Sequence, residues 1–293
     1  MKTADICIMT RCGSDYGSGH FWRMTNLLSI LRNQGLDVYI SCDCYPDNFP
    51  DNLRPYTSHS PVKAEILIRD MRDSTKDAAS LLAAKYGRII SIDDAGYTSL
   101  YNKNIDLLPR AEHPIETGDN NFPFIFGYHF SKAINGLHST PEKDLDLLIY
   151  TGFDNNDYPL LLENQSLEIA FFNGSNCYYK GSTLSGSSYY NLLFKSKNFL
   201  SHFGLSLYEA YICNCNIFAL NPSDYHSKLA DNEKRIPVIN LGTFANINKE
   251  LQNTLKKTIL EKTVLSMFNL EETKNRINEM QSLFVKLLEI TIN

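Results

Sequence analysis

Short apolar runs alternate with amphipathic helical patterns along most of the chain, and this alternation constrains the fold more than any other feature. In the first half, strands are predicted at 5–11, 37–41, 65–69 and 88–92, and helices at 20–34 and 75–86. The second half repeats the pattern, with strands near 146–151, 167–172, 198–202, 216–220 and 236–240 and helices near 156–164, 188–196, 205–213 and 223–231. Because helical crossovers join parallel strands, the pattern predicts an α/β fold with two parallel sheets.

The alternation stops between residues 109 and 144. This stretch contains several glycines and asparagines and four prolines, Pro109, Pro114, Pro123 and Pro141, a composition typical of a connection between domains. We therefore predict one domain at 1–140 and a second at 141–245. Residues 246–293 are predicted to form a helical segment that packs on these domains through an apolar face of Ile277, Met280, Leu283, Phe284, Leu287 and Leu288.

Composition narrows the classes of function. The chain has 293 residues, 43% of them hydrophobic, and a net charge of -5 without a block of lysine and arginine, which argues against a nucleic-acid partner. No apolar run approaches the ~20 residues of a membrane span and the N-terminus runs directly into a strand, so we expect a cytoplasmic protein without an integral membrane segment. The seven cysteines are expected to be reduced, and neither Cys42-x-Cys44 nor Cys213-x-Cys215 has the further ligands of a metal site.

The first candidate site is the glycine-rich loop that follows the first predicted strand. Gly17 and Gly19 would let the backbone approach a ligand, and His20 opens a helix whose first N–H groups favour a bound phosphate. A histidine in this position is a candidate base for a phosphate-bearing substrate. The alternative is that His20 is a helix cap or a satisfied polar contact.

A similar turn opens a helix in the second half of the chain. Gly204 precedes the helix, Ser206 in its first turn could bind phosphate, and Glu209, on the same face, could accept hydrogen bonds from a ribose. The same spacing also fits a capping box between Ser206 and Glu209. A polar segment at 173–188 is predicted to be either a ligand loop or an exposed connection.

Acidic residues occur at three further places. Asp93 and Asp94 end a predicted strand at the edge where open α/β sheets bind ligands, although they could equally cap a turn. Asp144-x-Asp146 matches the motif with which metal-dependent transferases hold a nucleotide diphosphate. It stands at the start of a predicted strand, and therefore at the end of the sheet away from the expected ligand site. Ser74, followed three residues later by Asp77, is predicted to cap the second helix.

Taken in order, these motifs resemble the GT-B superfamily of nucleotide-sugar enzymes. The closest resemblance is to the UDP-sugar hydrolases of pseudaminic acid synthesis and the related spore-coat polysaccharide biosynthesis proteins, and it runs over roughly residues 5–235. The matching motifs are Gly17-x-Gly19-His20-x-x-Arg23, Asp70, Asp93-Asp94, Gly152-x-Asp154 and Gly204-x-Ser206-x-x-Glu209. The chain differs from those hydrolases in a shorter first loop and in Gly152-Phe153-Asp154, which replaces a pair of glycines.

The resemblance implies two Rossmann-like domains that face a cleft, with the nucleotide held mainly by the second. His20 would be the general base, and no metal or cofactor would be needed. Residues that would bind substrate or nucleotide are Gly17, Gly19, Arg23, Asp94, Gly152, Gly204, Ser206 and Glu209.

The acceptor decides which activity is expected. With water the protein would be a hydrolase that cleaves the anomeric carbon–oxygen bond of a nucleotide-sugar in cell-surface sugar biosynthesis, and with a sugar or lipid-linked hydroxyl it would be a glycosyltransferase. Because no apolar or basic segment for a lipid-linked acceptor stands out, the hydrolase is favoured. A nucleotide-sugar binding protein without turnover is the alternative from another class, whereas a nicotinamide enzyme would need a third spaced glycine after Gly17 and Gly19.

Overall fold

The computed structural model describes residues 3–12, 18–60, 62–115, 121–151, 168–172, 177–179, 182–184, 188–246, 253, 255, 257–259 and 268–290. These residues divide into two compact units. Unit 1 comprises Met1–Leu108, Pro123–Ser131 and Glu279–Asn293, and unit 2 comprises Pro109–Phe122 and Lys132–Asn278. The predicted domain limits of 1–140, 141–245 and 246–293 stay a prediction.

The sheet of unit 1 has six strands, all parallel, in the order β3-β2-β1-β4-β5-β6. This is the strand order of a doubly wound dinucleotide-binding fold. Its strands are β1 (Thr3–Thr10), β2 (Val38–Ser41), β3 (Thr57–Ser58), β4 (Lys63–Asp70), β5 (Arg88–Ile92) and β6 (Lys103–Ile105). The helices of this unit are α1 (Gly19–Asn33), α2 (Lys76–Ala83) and a 3-10 helix, Asp51–Tyr56. Helix α3 (Tyr128–Asn135) belongs to unit 1 up to Ser131 and to unit 2 from Lys132.

The periodicity of α1 explains how it covers the sheet. Met24, Leu27, Leu28 and Leu31 recur at helical spacing, and all four are completely buried. The helix ends at Asn33, and Gly35, which follows the C-cap Gln34, has a φ of +87° that suits glycine better than any other residue. Burial of this face fixes the start of α1 beside the carboxyl end of β1.

Unit 2 contains a seven-stranded sheet in the order β10-β9-β8-β7-β11-β12-β13. Strands β8, β7, β11, β12 and β13 are parallel, and β9 and β10 add an antiparallel edge. The strands are β7 (Leu145–Tyr150), β8 (Ile169–Phe172), β9 (Cys177–Tyr179), β10 (Ser182–Leu184), β11 (Ser196–Ser201), β12 (Asn216–Asn221) and β13 (Val238–Thr243). The helices are α4 (Ser188–Lys195), α5 (Leu205–Ile212), α6 (Asp224–Asn232) and a 3-10 helix, Phe244–Asn246. A last helix, α7 (Leu270–Leu287), belongs to unit 2 up to Asn278 and to unit 1 from Glu279.

The predicted α/β class is therefore confirmed, and each unit is built around its own mainly parallel sheet. The structure also shows what the sequence pattern missed. Segment 173–188, predicted to be a loop, contains β9 and β10, and the predicted connection at 109–144 contains α3. The predicted helix at 156–164 lies outside the described residues.

The C-terminal helix α7 buries most of the apolar face that the sequence predicts. Ile277, Met280, Phe284 and Leu288 are at most 2% exposed, whereas Leu283 and Leu287 are half-buried. No helix in the described parts of the chain combines the length and apolar character needed to cross a bilayer.

Candidate functional site

The strand order of unit 1 creates a switch point at the carboxyl ends of β1 and β4. From β1 the chain continues to β2 on one side and later returns to β4 on the other, and open α/β sheets bind ligands at such a position. The register places Thr10 of β1 beside Asp70 of β4, and Asp70 beside Ile92 of β5. Asp70 and Asp93 therefore lie next to each other where α1 begins.

Arg23 of α1 holds these two carboxylates together. Its Nε lies 2.6 Å from Oδ2 of Asp70, and its Nη2 donates to Oδ1 of Asp70 at 2.7 Å and to Oδ2 of Asp93 at 2.7 Å. The side chains of Arg23, Asp70 and Asp93 are 2%, 0% and 4% exposed. The pair with Asp70 is bidentate, the geometry in which arginine binds a carboxylate most strongly.

Electrostatics keeps Asp70 and Arg23 ionised. Burial alone would raise the pKa of Asp70, but the charge of Arg23 and the hydrogen bonds from Arg23 and His20 hold it well below its usual range. Burial alone would likewise lower the pKa of Arg23, but Asp70 and Asp93 raise it above its usual value. Asp70 is therefore a carboxylate that only accepts hydrogen bonds.

The backbone fixes Asp93 in place. Its φ is +52°, in the left-handed region, and its Oδ1 accepts the N–H groups of Leu107 and Leu108 at 2.6 and 2.8 Å. A non-glycine residue in this region is held there by its surroundings. The second oxygen of Asp93 is thereby aimed at Arg23.

His20 completes the group. Its Nδ1 lies 2.6 Å from Oδ1 of Asp70 and 3.0 Å from Nη2 of Arg23. The two hydrogens of Nη2 of Arg23 go to Asp70 and Asp93, so Nδ1 of His20 carries a hydrogen that it donates to Asp70, and Nε2 is the ring nitrogen left to exchange a proton. The His20 side chain is 18% exposed, so this buried network ends in a partly accessible proton acceptor.

Asp94 lies beside this network but has different partners. Its carboxylate accepts hydrogen bonds from Arg69 and the Ser74 hydroxyl, and from the N–H groups of Ser74 and Gly96, both at 3.0 Å. Gly96 passes so close to Ser74 that a Cβ there would lie 2.3 Å from the Ser74 nitrogen. Asp94 thus joins the loop after β4 to the loop after β5.

The predicted cap of α2 is wrong. The N-cap is Thr75, whose hydroxyl accepts the N–H of Ala78 at 3.2 Å. Ser74 instead donates its hydroxyl to Asp94. Buried between the two loops, Ser74 has a strong acceptor that its local sequence does not reveal.

The sheet of unit 2 has its own switch point, at the carboxyl ends of β7 and β11. After β11 the chain turns at Gly204, which is the N-cap residue of α5. As a glycine it has no side chain with which to cap the helix. Ser206 lies in the first turn of α5, 9% exposed, with its Oγ 3.4 Å from Oγ of Ser201. The helix begins at Leu205, so Ser206 is not the N-cap residue that a capping box with Glu209 would require.

Aromatic rings cover the rest of this edge. The Tyr150 ring centroid lies 5.6 Å from that of Phe172, 5.2 Å from that of Tyr189 and 6.3 Å from that of His202. Tyr150 and Phe172 are the last residues of β7 and β8 and pair in register. The register therefore groups these rings at the carboxyl ends of neighbouring strands.

Glu209 is buried near these tyrosines, with 4% of its surface exposed. Burial, together with the charge of Glu209, raises the pKa of Tyr150 to about 12. Burial and Glu209 also raise the pKa of Tyr189 and Tyr190 well above the usual value. A carboxylate and a group of neutral tyrosines thus lie close to the start of α5.

The remaining sequence predictions differ in how far the structure describes them. Gly19 is the first residue of α1. Gly17 and Gly152 lie outside the described residues. Asp144 and Asp146 lie at the amino end of β7, where they pair with Lys195 at 3.4 Å and Lys197 at 2.8 Å.

Sequence reasoning missed three features of these sites. Asp70 is among the matching motifs of the sequence, but the sequence assigns it no role. Its position at the end of the strand next to β1 is a signal that could have placed it at the ligand edge of the sheet. The sequence predicts Asp94 as a binding residue, but it is the neighbouring Asp93 that bonds to Arg23 in addition to Asp70, whereas Asp94 bonds to Arg69. The aromatic group around Tyr150 had no signal, because its members lie far apart in the sequence.

Comparison with known proteins supports the fold. Neither a family model nor a curated protein sequence matches the chain. Among solved structures, S. aureus MnaA in complex with UDP superposes with a TM-score of 0.51 at 10% identity, covering 94% of this chain and 91% of that one. The chain therefore has a GT-B-like fold.

Two other structures are similar at lower scores. One is a Listeria monocytogenes protein assigned as a UDP-N-acetylglucosamine 2-epimerase, with a TM-score of 0.47, 10% identity and coverage of 98% and 95%. The other is a family 9 glycosyl transferase of Veillonella parvula, with a TM-score of 0.35, 12% identity and coverage of 97% and 98%. At these scores the two structures add no argument about function.

Proposed function

We propose that the protein is a nucleotide-sugar hydrolase, with a UDP-sugar as the favoured substrate and His20 as the general base. The observation that carries the proposal is the hydrogen bond between His20 and the ionised Asp70 at the switch point of the unit 1 sheet. The GT-B-like fold shared with a UDP-bound protein supports the choice of substrate class.

The reaction follows from the roles of these two side chains. A water molecule gives a proton to Nε2 of His20 while its oxygen attacks the anomeric carbon of the sugar. The bond between that carbon and the diphosphate oxygen breaks, and its electron pair leaves with the nucleoside diphosphate. Asp70 fixes the tautomer of His20 and stabilises the imidazolium that forms.

Arg23 and Asp94 contribute indirectly in this proposal. Arg23 is bonded to Asp70 and Asp93 and keeps the Asp70 carboxylate oriented toward His20. Asp94 supports the loops after β4 and β5 through Ser74 and Gly96. Both are thus positioning residues for the base rather than groups that touch the sugar.

Unit 2 supplies the nucleotide contacts. Ser206 and the N–H groups at the start of α5 suit a diphosphate, since a helix N-terminus favours an anion. Glu209, three residues after Ser206, would accept hydrogen bonds from the ribose hydroxyls. Gly204 leaves room beside the helix start, and Gly17, Gly19 and Gly152 complete the proposed contacts of the substrate.

The test is release of nucleoside diphosphate from UDP- and GDP-sugars, and of CMP from CMP-sugars, without an added acceptor. We expect His20→Ala to abolish release and Asp70→Asn to lower kcat about 10³-fold with little change in KM, because the amide does not stabilise the imidazolium. Glu209→Gln should raise KM more than it lowers kcat. Asp37→Asn, in a half-exposed pair with Arg32, is the matched control and should leave the rate unchanged.

The other outcomes separate the competing functions. Saturable UDP binding without release, weakened by Glu209→Gln, would favour a glycosyltransferase that lacks its acceptor or a binding protein without turnover. Release that persists in His20→Ala would contradict the proposed base. If the protein neither bound nor hydrolysed any sugar nucleotide of the panel, the proposal would be overturned.

A further inference from the structure

Cys12 and Cys44 occupy equivalent places beyond the ends of two neighbouring parallel strands. Along the paired part of β1 and β2, each residue lies beside the one 32 positions later, from Ile6 and Val38 to Met9 and Ser41. Cys12 and Cys44 have the same separation. Neighbouring strands lie about 4.8 Å apart, within the Cα separation of about 4.4–6.8 Å that a disulfide requires.

The two residues are also in contact. Sγ of Cys44 lies 3.1 Å from the carbonyl oxygen of Cys12. This contact places the sulfur of Cys44 beside the main chain of Cys12, and rotation about the Cα–Cβ bonds of the two residues changes the separation of their sulfur atoms. Cys44 is exposed and Cys12 is half-buried, so a small oxidant in solvent has access to the first sulfur.

The neighbouring thiol behaves differently. Cys42 is buried at the end of β2, and burial raises its pKa to about 11. Since the thiolate is the reactive form, Cys42 is a poor competitor for an oxidant. The other described cysteines, Cys7, Cys213 and Cys215, are also buried.

We propose that Cys12 and Cys44 form a redox-active thiol pair that a disulfide oxidant such as glutathione disulfide converts into an intramolecular disulfide. The thiolate of Cys44 attacks one sulfur of the oxidant, forming a mixed disulfide and releasing one glutathione thiolate. The thiolate of Cys12 then attacks Sγ of Cys44 and releases the second glutathione. Two protein thiols lose two electrons and two protons, and the oxidant gains them as two thiols.

The position of the pair gives the disulfide a structural consequence. Cys12 lies in the connection from β1 to α1, eight residues before His20, and Cys44 lies just after β2. A bond between them would tie the connection that leads to His20 to the end of the neighbouring strand. This inference does not depend on the proposed hydrolase activity.

The experiment uses the full chain, reduced and then equilibrated in buffers of increasing ratio of glutathione disulfide to glutathione. Remaining thiols are alkylated, and tryptic peptides are identified by mass spectrometry. Cleavage after Arg11 and Arg23 isolates Cys12 in peptide 12–23, while Cys42 and Cys44 share peptide 33–63, because Arg54 is followed by proline. We expect peptide 12–23 joined to 33–63, with a loss of two hydrogens and with fragmentation that assigns the bond to Cys44.

Two variants make the result specific. The joined peptide should disappear in Cys44→Ser and persist in Cys42→Ser. In Cys42→Ser, the ratio of glutathione disulfide to glutathione at which half of the protein is oxidised should lie within about twofold of the wild-type value. A bond between Cys42 and Cys44, stable glutathione adducts on Cys44, or thiols that stay reduced at every ratio would each overturn the proposal. The fragmentation assignment in the wild-type protein decides the question even if a variant does not fold.

Discussion

The two sheets present opposite chemistry at equivalent edges. At the switch point of unit 1 a buried arginine joins two carboxylates and a histidine, whereas at that of unit 2 rings of phenylalanine, tyrosine and histidine lie around Tyr150 at the end of β7. Topology decides where each site lies, and the side chains decide what each site can do. A network of fixed charges can orient a proton acceptor, while rings and a helix start suit binding of a planar, anionic ligand.

The comparison predicts that the unit 1 edge depends on its charges for stability. Arg23→Met should cost about 3–5 kcal/mol of unfolding free energy, because it leaves Asp70 and Asp93 buried without their cation. Trp22 in α1 is the single tryptophan of the chain, so its fluorescence during urea unfolding reports on unit 1.

Arg32→Met on the same helix is the control for this change. Arg32 pairs with Asp37 at 2.7 Å, but both side chains are partly exposed, so the loss should stay below about 1 kcal/mol. Equal losses of unfolding free energy in Arg23→Met and Arg32→Met would show that burial of the Arg23 network does not increase its contribution to stability.

Acid should weaken unit 1 through Asp70. The folded-state pKa of Asp70 is lowered, so its contribution is fully present above the ordinary aspartate pKa of about 4 and is lost as pH falls below that value. A buried, paired carboxylate of this kind contributes about 2 kcal/mol. Urea midpoints followed by Trp22 between about pH 6 and pH 3 should fall in the wild type and fall less in Asp70→Asn.

The smallest effect is expected at the aromatic edge. The hydroxyl of Tyr189 is buried with no hydrogen-bond partner among the described residues, so Tyr189→Phe should change the unfolding free energy by less than about 0.5 kcal/mol. Tyr86→Phe, which removes a hydroxyl that donates to the Val62 carbonyl at 3.1 Å, should cost about 1 kcal/mol. Hydrogen exchange in α4 and β7 would report on the stability of unit 2. A loss of unfolding free energy larger than this for Tyr189→Phe would show that the Tyr189 hydroxyl, and not only its ring, stabilises this edge.

Much of the fold follows from local patterns. The strands and helices flanking His20 and Ser206 are predicted within a few residues of their observed limits, because apolar periodicity and glycine positions act over short distances. Elements that are short or lie at a sheet edge were missed, among them β3, β6 and the hairpin of β9 and β10. They bury too few residues to leave a clear period.

The sequence by itself determined that two α/β units form and that His20 and Ser206 lie at helix starts after strands. Only the tertiary structure decided that Arg23 joins Asp70 to Asp93, which are 47 and 70 residues away, and that Asp94 faces Ser74 instead. Periodicity is a property of neighbours along the chain, so it can be read directly. Ion-pair partners depend on strand order and register, which are set by the packing of the whole sheet.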